Sequence, residues 1–178
     1  IHSQLSHFQL NQARIDTTVK TRHVVGNQHL LRIDTESSCD PSDLDDTLRY
    51  LEEYVKDSDW VIFSDYVKHF QSRAGDIIDI VLSADKPIAV DPKSDDWEIY
   101  RGATLITPNA AELQRAGGDA KALIKKFGIK EILVTEGAHG MTYQNVARKK
   151  PIHRESISQD VIDVTGAGDT ALAAFVCG

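Results

Sequence analysis

Asp163-Val-Thr-Gly-Ala-Gly-Asp-Thr170 runs directly into Ala171-Leu-Ala-Ala-Phe-Val-Cys-Gly178. The first stretch is a turn of small residues, and the second reads as the opening of a helix. Glycines let a backbone turn aim several N–H groups at one point, and a helix starting there adds the positive end of its dipole. The junction, Thr165-Gly166-Ala167-Gly168-Asp169, is therefore a candidate anion site. Asp169 stands at the helix start. A carboxylate beside an anion hole is poorly placed to bind phosphate, but well placed to take a proton from a hydroxyl that attacks a phosphoryl group. Two other readings stand beside this one. Asp169 is also compatible with a plain helix cap. Gly166, Gly168 and Ala171 also fit a loose dinucleotide-binding pattern, although that fingerprint belongs in a first βαβ unit with an acidic residue ~20 positions later. Only nine residues follow Asp169.

Upstream, short apolar runs alternate with amphipathic stretches. Trp60-Val-Ile-Phe63 reads as a strand buried on both faces. Residues 73–84 read as a helix with Ile77, Ile78, Ile80, Val81 and Leu82 inward. Ile88-Ala-Val90, Ala103-Thr-Leu-Ile106 and Glu131-Ile-Leu-Val134 are further strands, and helices are expected from about Ala110 and over 121–127. Residues 141–144 and 150–153 are expected to form an antiparallel pair at the sheet edge. Strands alternating with helices predict an α/β fold, a mostly parallel sheet with helices on both faces. Nearer the start, Val19–Val25 and His29–Ile33 flank Gly26-Asn27-Gln28, which predicts a β-hairpin. Asp40-Pro41 then opens a helix with Leu44, Leu48, Leu51 and Val55 on one stripe. The domain expectation is a hairpin over 19–33 and an α/β core over 41–178.

Each strand is followed by polar residues: Ser64-Asp65, Asp91-Pro-Lys93, Asn109-Ala-Ala-Glu112 and Thr135-Glu-Gly137. In open α/β sheets ligands bind beyond the carboxyl ends of the strands, so these four segments are expected to share one cleft. Asn109 and Glu112 lie one helical turn apart. An amide and a carboxylate there suit hydrated Mg²⁺, which takes few carboxylates and keeps several waters. They equally suit a capping box. The histidines show no ligand spacing, and His139 and His153 read as surface or packing residues.

The net charge of -7 argues against a nucleic-acid binder, and no segment approaches the ~20 consecutive apolar residues of a membrane span. The two cysteines show no metal-ligand spacing and read as free thiols in a reducing, cytoplasmic setting.

Asp163–Asp169 and Asn109-x-x-Glu112 together resemble two signatures of the ribokinase-like (phosphofructokinase B type) carbohydrate kinases. Ser64-Asp-Tyr66, Asp91-Pro-Lys93, Tyr100–Asn109 and Val134–Met141 resemble the heptose 7-phosphate kinases within that class, including those joined to an adenylyltransferase. Lys20, Arg22, Arg32 and Asp34 fit as well. The resemblance implies a ribokinase-like fold with a β-hairpin lid, and ATP-dependent phosphorylation of D-glycero-D-manno-heptose 7-phosphate at O1 on the route to ADP-heptose. It implies Asp169 as catalytic base and Gly166, Ala167 and Gly168 as anion hole. Asn109, Ala110, Ala111, Glu112, Thr135, Gly137 and Lys93 would meet ATP, with Asn109 and Glu112 toward Mg²⁺. Lys20, Arg22 and Arg32 would reach the sugar phosphate. A homodimer through the lid is implied too, with Val24, Val25, Leu30 and Leu31 packing on a partner hairpin or covering the sugar. The sequence departs from the class at Val67-Lys68-His69, where Lys-Gly is expected. The sugar-binding start and the adenine-covering end of such kinases are expected outside Ile1 and Gly178. A non-catalytic, nucleotide-binding remnant is the alternative.

Overall fold

The computed structural model describes residues 19–25, 28–35, 41–65, 70–157 and 166–178. Gly26, Asn27, Cys39, Asp40, the segment 66–69, and Asp163, Val164 and Thr165 lie outside them, and with them the hairpin turn, the expected cap at Asp40 and the start of the signature. Contacts divide the chain into two units, Ile1–Arg49 and Tyr50–Gly178.

The first unit holds the hairpin: β1 (Val19–Val25) pairs antiparallel with β2 (Gln28–Thr35). The register runs from Val19↔Thr35 to His23↔Leu31 and then shifts to Val24↔His29, leaving Leu30 as an extra residue. Directly opposed residues share a face of an antiparallel ribbon. Lys20, Arg22, Arg32 and Asp34 therefore make one polar face, and Val19, Leu31 and Ile33 lie on the other. Both faces of β1 are exposed. Helix α1 (Pro41–Tyr54) begins where the proline at the first helical position predicts.

The second unit is built on a six-stranded sheet in the order β3 (Val61–Ser64), β4 (Ile88–Asp91), β5 (Leu105–Ile106), β6 (Glu131–Thr135), β7 (Met141–Asn145), β8 (Ile152–Arg154). The first four strands are parallel, and β6, β7 and β8 pair antiparallel. Helix α2 (Ala74–Ser83) links β3 to β4, while α3 (Ala110–Ala116) and α4 (Ala120–Phe127) link β5 to β6. Parallel crossovers are right-handed, so connections that step in one direction across the sheet place these helices on one face. Helix α5 (Ala167–Cys177) takes the other, where its buried Leu172 packs with Ala89, Leu105 and Leu133. This bears out the expected α/β architecture.

Two expectations need correction. Trp60–Phe63 is not a doubly buried strand: among the described residues β3 is the outermost strand of the sheet, and Ile62 is 45% exposed. An apolar run alone does not reveal whether a neighbouring element covers it. In α2 the inward residues are Ile77, Ile78 and Val81, whereas Ile80 and Leu82 are half-buried, because ten residues of helix present only one stripe to the sheet. In the connection from β4 to β5, Trp97–Tyr100 form a 3₁₀ turn, with Asp96 capping it through Glu98 N at 3.1 Å.

Candidate active site

Parallel pairing brings the carboxyl ends of β3 to β6 to one edge. Ser64 pairs with Asp91, and the Asp65 N–H donates to the Asp91 carbonyl at 3.1 Å. Asn109 bridges Thr135 in parallel, and the Thr135 N–H donates to the Pro108 carbonyl at 2.9 Å. All four polar segments expected at one cleft are at this edge. Asp65 is the exception in character: it is 1% exposed and accepts a hydrogen bond from the Tyr100 hydroxyl. It is a buried anchor rather than a cleft-lining group.

The Asn109–Glu112 turn is a complete capping box. Asn109 Oδ1 accepts from Glu112 N at 2.9 Å, and Glu112 Oε2 accepts from Asn109 N at 2.8 Å. Glu112 is buried, and its Oε1 receives Lys93 Nζ at 3.1 Å. Lys93 is shared, with Asp91 Oδ2 at 3.2 Å. The capping reading of Asn109 and Glu112 thus holds without exhausting them, since a carboxylate offers about four lone-pair sites and two are used.

Electrostatics ties these groups together. Burial pushes the Asp91 carboxyl above the usual carboxylate range, Lys93 pulls it back, and Glu112 and Asp169 push it up again. The charge of Asp169 is therefore felt at Asp91, which brings the start of α5 to the same edge. For Lys93, burial works against the ammonium, but Asp91 and Glu112 outweigh it and hold it above the ordinary lysine range. The Lys93 charge is thus fixed at neutral pH.

At α5 the N-cap is Gly166, in the left-handed conformation with φ 76° and no side-chain cap hydrogen bond. Asp169 lies in the first turn and is not the cap, which removes the capping alternative. The first N–H groups of a helix have no intrahelical partner, and Gly166, Ala167, Gly168 and Asp169 are all exposed. The junction keeps the form of an anion site. The dinucleotide alternative loses its context, because this turn follows six strands of one sheet rather than opening a first βαβ unit.

Asn109, Ala110 and Ala111 line a cavity of about 470 Å³ with Thr135, Glu136, Gly137 and His139. Five of the expected nucleotide contacts thus meet at one hollow, and Glu136 and His139 join them unexpectedly. Their loop is a 3₁₀ turn over Gly137–His139, held by Glu136 N to the Gly140 carbonyl at 2.9 Å. The two glycines at Gly137 and Gly140 signalled a turn, but not which side chains it would aim inward. His153, read as a surface or packing residue, contacts Thr142 Oγ1 and Glu136 Oε2 at 3.0 and 3.2 Å.

Residues 5–178 match the model of the pfkB family carbohydrate kinases. The chain belongs to that family. This kinase chain is 37% identical over 169 residues to a bifunctional protein HldE of Vibrio atlanticus, covering 88% of itself and 35% of that protein. It is also 37% identical to a D-beta-D-heptose 7-phosphate kinase of Bordetella bronchiseptica, over 88% of itself and 53% of that kinase. The chain thus spans between a third and about half of the curated relatives it matches. A ribokinase of Arabidopsis thaliana, solved with ribose and ATP, superimposes with a TM-score of 0.69 at 23% identity, covering 93% of this chain and 58% of that one. That likeness establishes the ribokinase-like fold of this pfkB chain.

Proposed function

We propose that the chain supplies the nucleotide side of an ATP-dependent sugar-phosphate kinase, acting on D-glycero-D-manno-heptose 7-phosphate at O1. The observation that carries this reading is the meeting of Asp91, Lys93, Glu112 and Asp169 at the edge where Asn109–Ala111 and Thr135–His139 line a cavity. In the reaction, Asp169 takes the proton from the O1 hydroxyl as that oxygen bonds the γ-phosphorus. The bond from the γ-phosphorus to the bridging oxygen breaks, and ADP leaves. Gly166, Ala167 and Gly168 direct backbone N–H groups at the transferring phosphoryl oxygens. Thr135 and Gly137 border the nucleotide, and Lys93 offers its fixed charge to phosphate. Mg²⁺ fits as an ion carried with ATP: among the described residues no three His, Cys, Asp or Glu are grouped to hold a metal, while the unused lone pairs of Glu112 and Asn109 suit its waters. When bound, the ion neutralises phosphate charge.

The hairpin supports the sugar-phosphate assignment. Arg22 lies directly opposite Arg32, and Lys20 opposite Asp34. Asp34 accepts from Arg32 Nε at 2.8 Å. Like charges facing across a ribbon destabilise it, and a bound phosphate would relieve that repulsion. In this proposal residues 19–33 serve as the lid and 41–178 as the α/β core. The apolar face, with Val25 66% exposed, is a dimer contact. No helix among the described residues is long and apolar enough to cross a membrane; a cytoplasmic role on the route to ADP-heptose completes the proposal.

Two measurements test the proposal. MgATP titration of the chain, together with ADP release in the presence of heptose 7-phosphate, unphosphorylated heptose and ribose, should show nucleotide binding and a preference for the phosphorylated sugar. Binding without any turnover supports the nucleotide-binding remnant instead, and no MgATP binding refutes both. Light scattering of the chain and of a Val25→Asp, Leu31→Asp double variant should show a dimer and a folded monomer respectively. A monomeric parent refutes the dimer contact.

A further inference from the structure

Beneath the cleft lies a pair of groups that the proposed chemistry leaves unused. Asp65, at the end of β3, is 1% exposed, and Tyr100, in the connection from β4 to β5, is fully buried. The Tyr100 hydroxyl donates to Asp65 Oδ2. Its oxygen accepts from the Ser94 N–H at 3.2 Å, and the Lys93 N–H faces it too. One phenol thus connects the end of β3 to the backbone that carries Lys93. This matters because Lys93 is a long side chain, and rotamer freedom opposes holding it in one place. Glu112 and Asp91 hold its tip, and Tyr100 holds its root.

Burial of Tyr100 and its bond to Asp65 push the phenol well above the ordinary tyrosine range. The hydroxyl therefore keeps its proton and stays the donor of this hydrogen bond. A phenol that donates to an anion becomes a better acceptor, through polarisation along the hydrogen-bonded chain. Buried Asp65 thereby strengthens the grip on the Lys93–Ser94 backbone.

We propose that Tyr100 is a positioning residue for Lys93, its hydroxyl coupling buried Asp65 to the loop so that the ammonium stands ready for nucleotide phosphate. This rests on the reading of Lys93 as a phosphate contact.

The test is a double-variant cycle read by calorimetric titration of the chain with MgATP and, separately, with adenosine. Tyr100→Phe keeps the ring and removes the hydroxyl. It should weaken MgATP binding about 3- to 10-fold, the scale of one hydrogen bond, and leave adenosine binding unchanged. In a Lys93→Met background the same change should have no further effect, because coupled residues are non-additive. Asp65→Asn leaves the phenol an acceptor without the charge. It should give a smaller loss in the same direction, also absent without Lys93, and it decides the matter if Tyr100→Phe folds poorly. Equal losses for adenosine and MgATP, or full additivity with Lys93→Met, overturn the positioning role. A parent that binds adenosine but gains nothing from the phosphates overturns the Lys93 reading beneath it. A parent that binds neither overturns the nucleotide site itself.

Discussion

Gly137 and Gly140 sit three residues apart in the loop that borders the cavity, both with positive φ, yet alanine at the two positions should cost very different amounts. At Gly137 φ is 59° and an added Cβ would meet nothing within 4 Å. The cost there is the left-handed conformation alone, about 1–2 kcal/mol. At Gly140 φ is 96°, and the Cβ would fall 2.0 Å from the Arg154 carbonyl oxygen, 2.8 Å from Ser156 N and 2.9 Å from Arg154 C. All three are backbone atoms, so no side chain can rotate away. Strain of about 1–3 kcal/mol is joined by about 1–3 kcal/mol of overpacking. A domain of this size loses about 2–4 °C of Tm per kcal/mol. Gly137→Ala should therefore lower Tm by about 2–8 °C, and Gly140→Ala by more, toward about 10 °C or beyond. Because the Glu136 N–H binds the Gly140 carbonyl, Gly140→Ala should also weaken MgATP binding. Scanning calorimetry and titration of both variants provide the check. Equal Tm losses would refute the argument from backbone proximity.

Asp169→Asn, made in a version of the enzyme that turns over, should cut the rate by about 10²–10⁴ while leaving Tm and MgATP affinity unchanged; steady-state kinetics beside a melt will show it, and near-normal turnover removes Asp169 as the base. Glu112→Gln keeps an acceptor for Asn109 N but discharges the partner of Lys93, so it should destabilise by about 0.5–2 kcal/mol and shift activity to higher Mg²⁺, as read from a Mg²⁺ titration and a urea melt. Leu172→Ala should cost about 2–5 kcal/mol, since Leu172 is 3% exposed and joins α5 to Ala89, Leu105 and Leu133; a loss under 1 kcal/mol would mean that α5 is not held by this contact.

What could be read in advance was periodic or local. The two hairpin strands, the helix opening at Pro41 and the Asn109–Glu112 turn each follow from residues close together in sequence, where spacing speaks directly. The contact between Asp65 and Tyr100 spans 35 positions and leaves no periodic trace. The sequence shows both residues without showing that they meet. Ile62 failed for a related reason: hydrophobicity measures what a residue prefers, whereas its exposure depends on whether another element lies against it. Glu136 and His139 entered the cavity because a 3₁₀ turn aims them there, and two glycines alone do not specify that geometry.

The position of β3 bears on how the chain behaves in the tube. Among the described residues no strand pairs with its outer side, and half-exposed Trp60 and exposed Ile62 stand along it. Where nothing further pairs with that side, a strand edge recruits other edges, a route to self-association independent of the hairpin. Ile62→Lys places a gatekeeping charge on that edge. Light scattering on this background separates a specific dimer, which persists, from sticky sheet-to-sheet growth, which disappears.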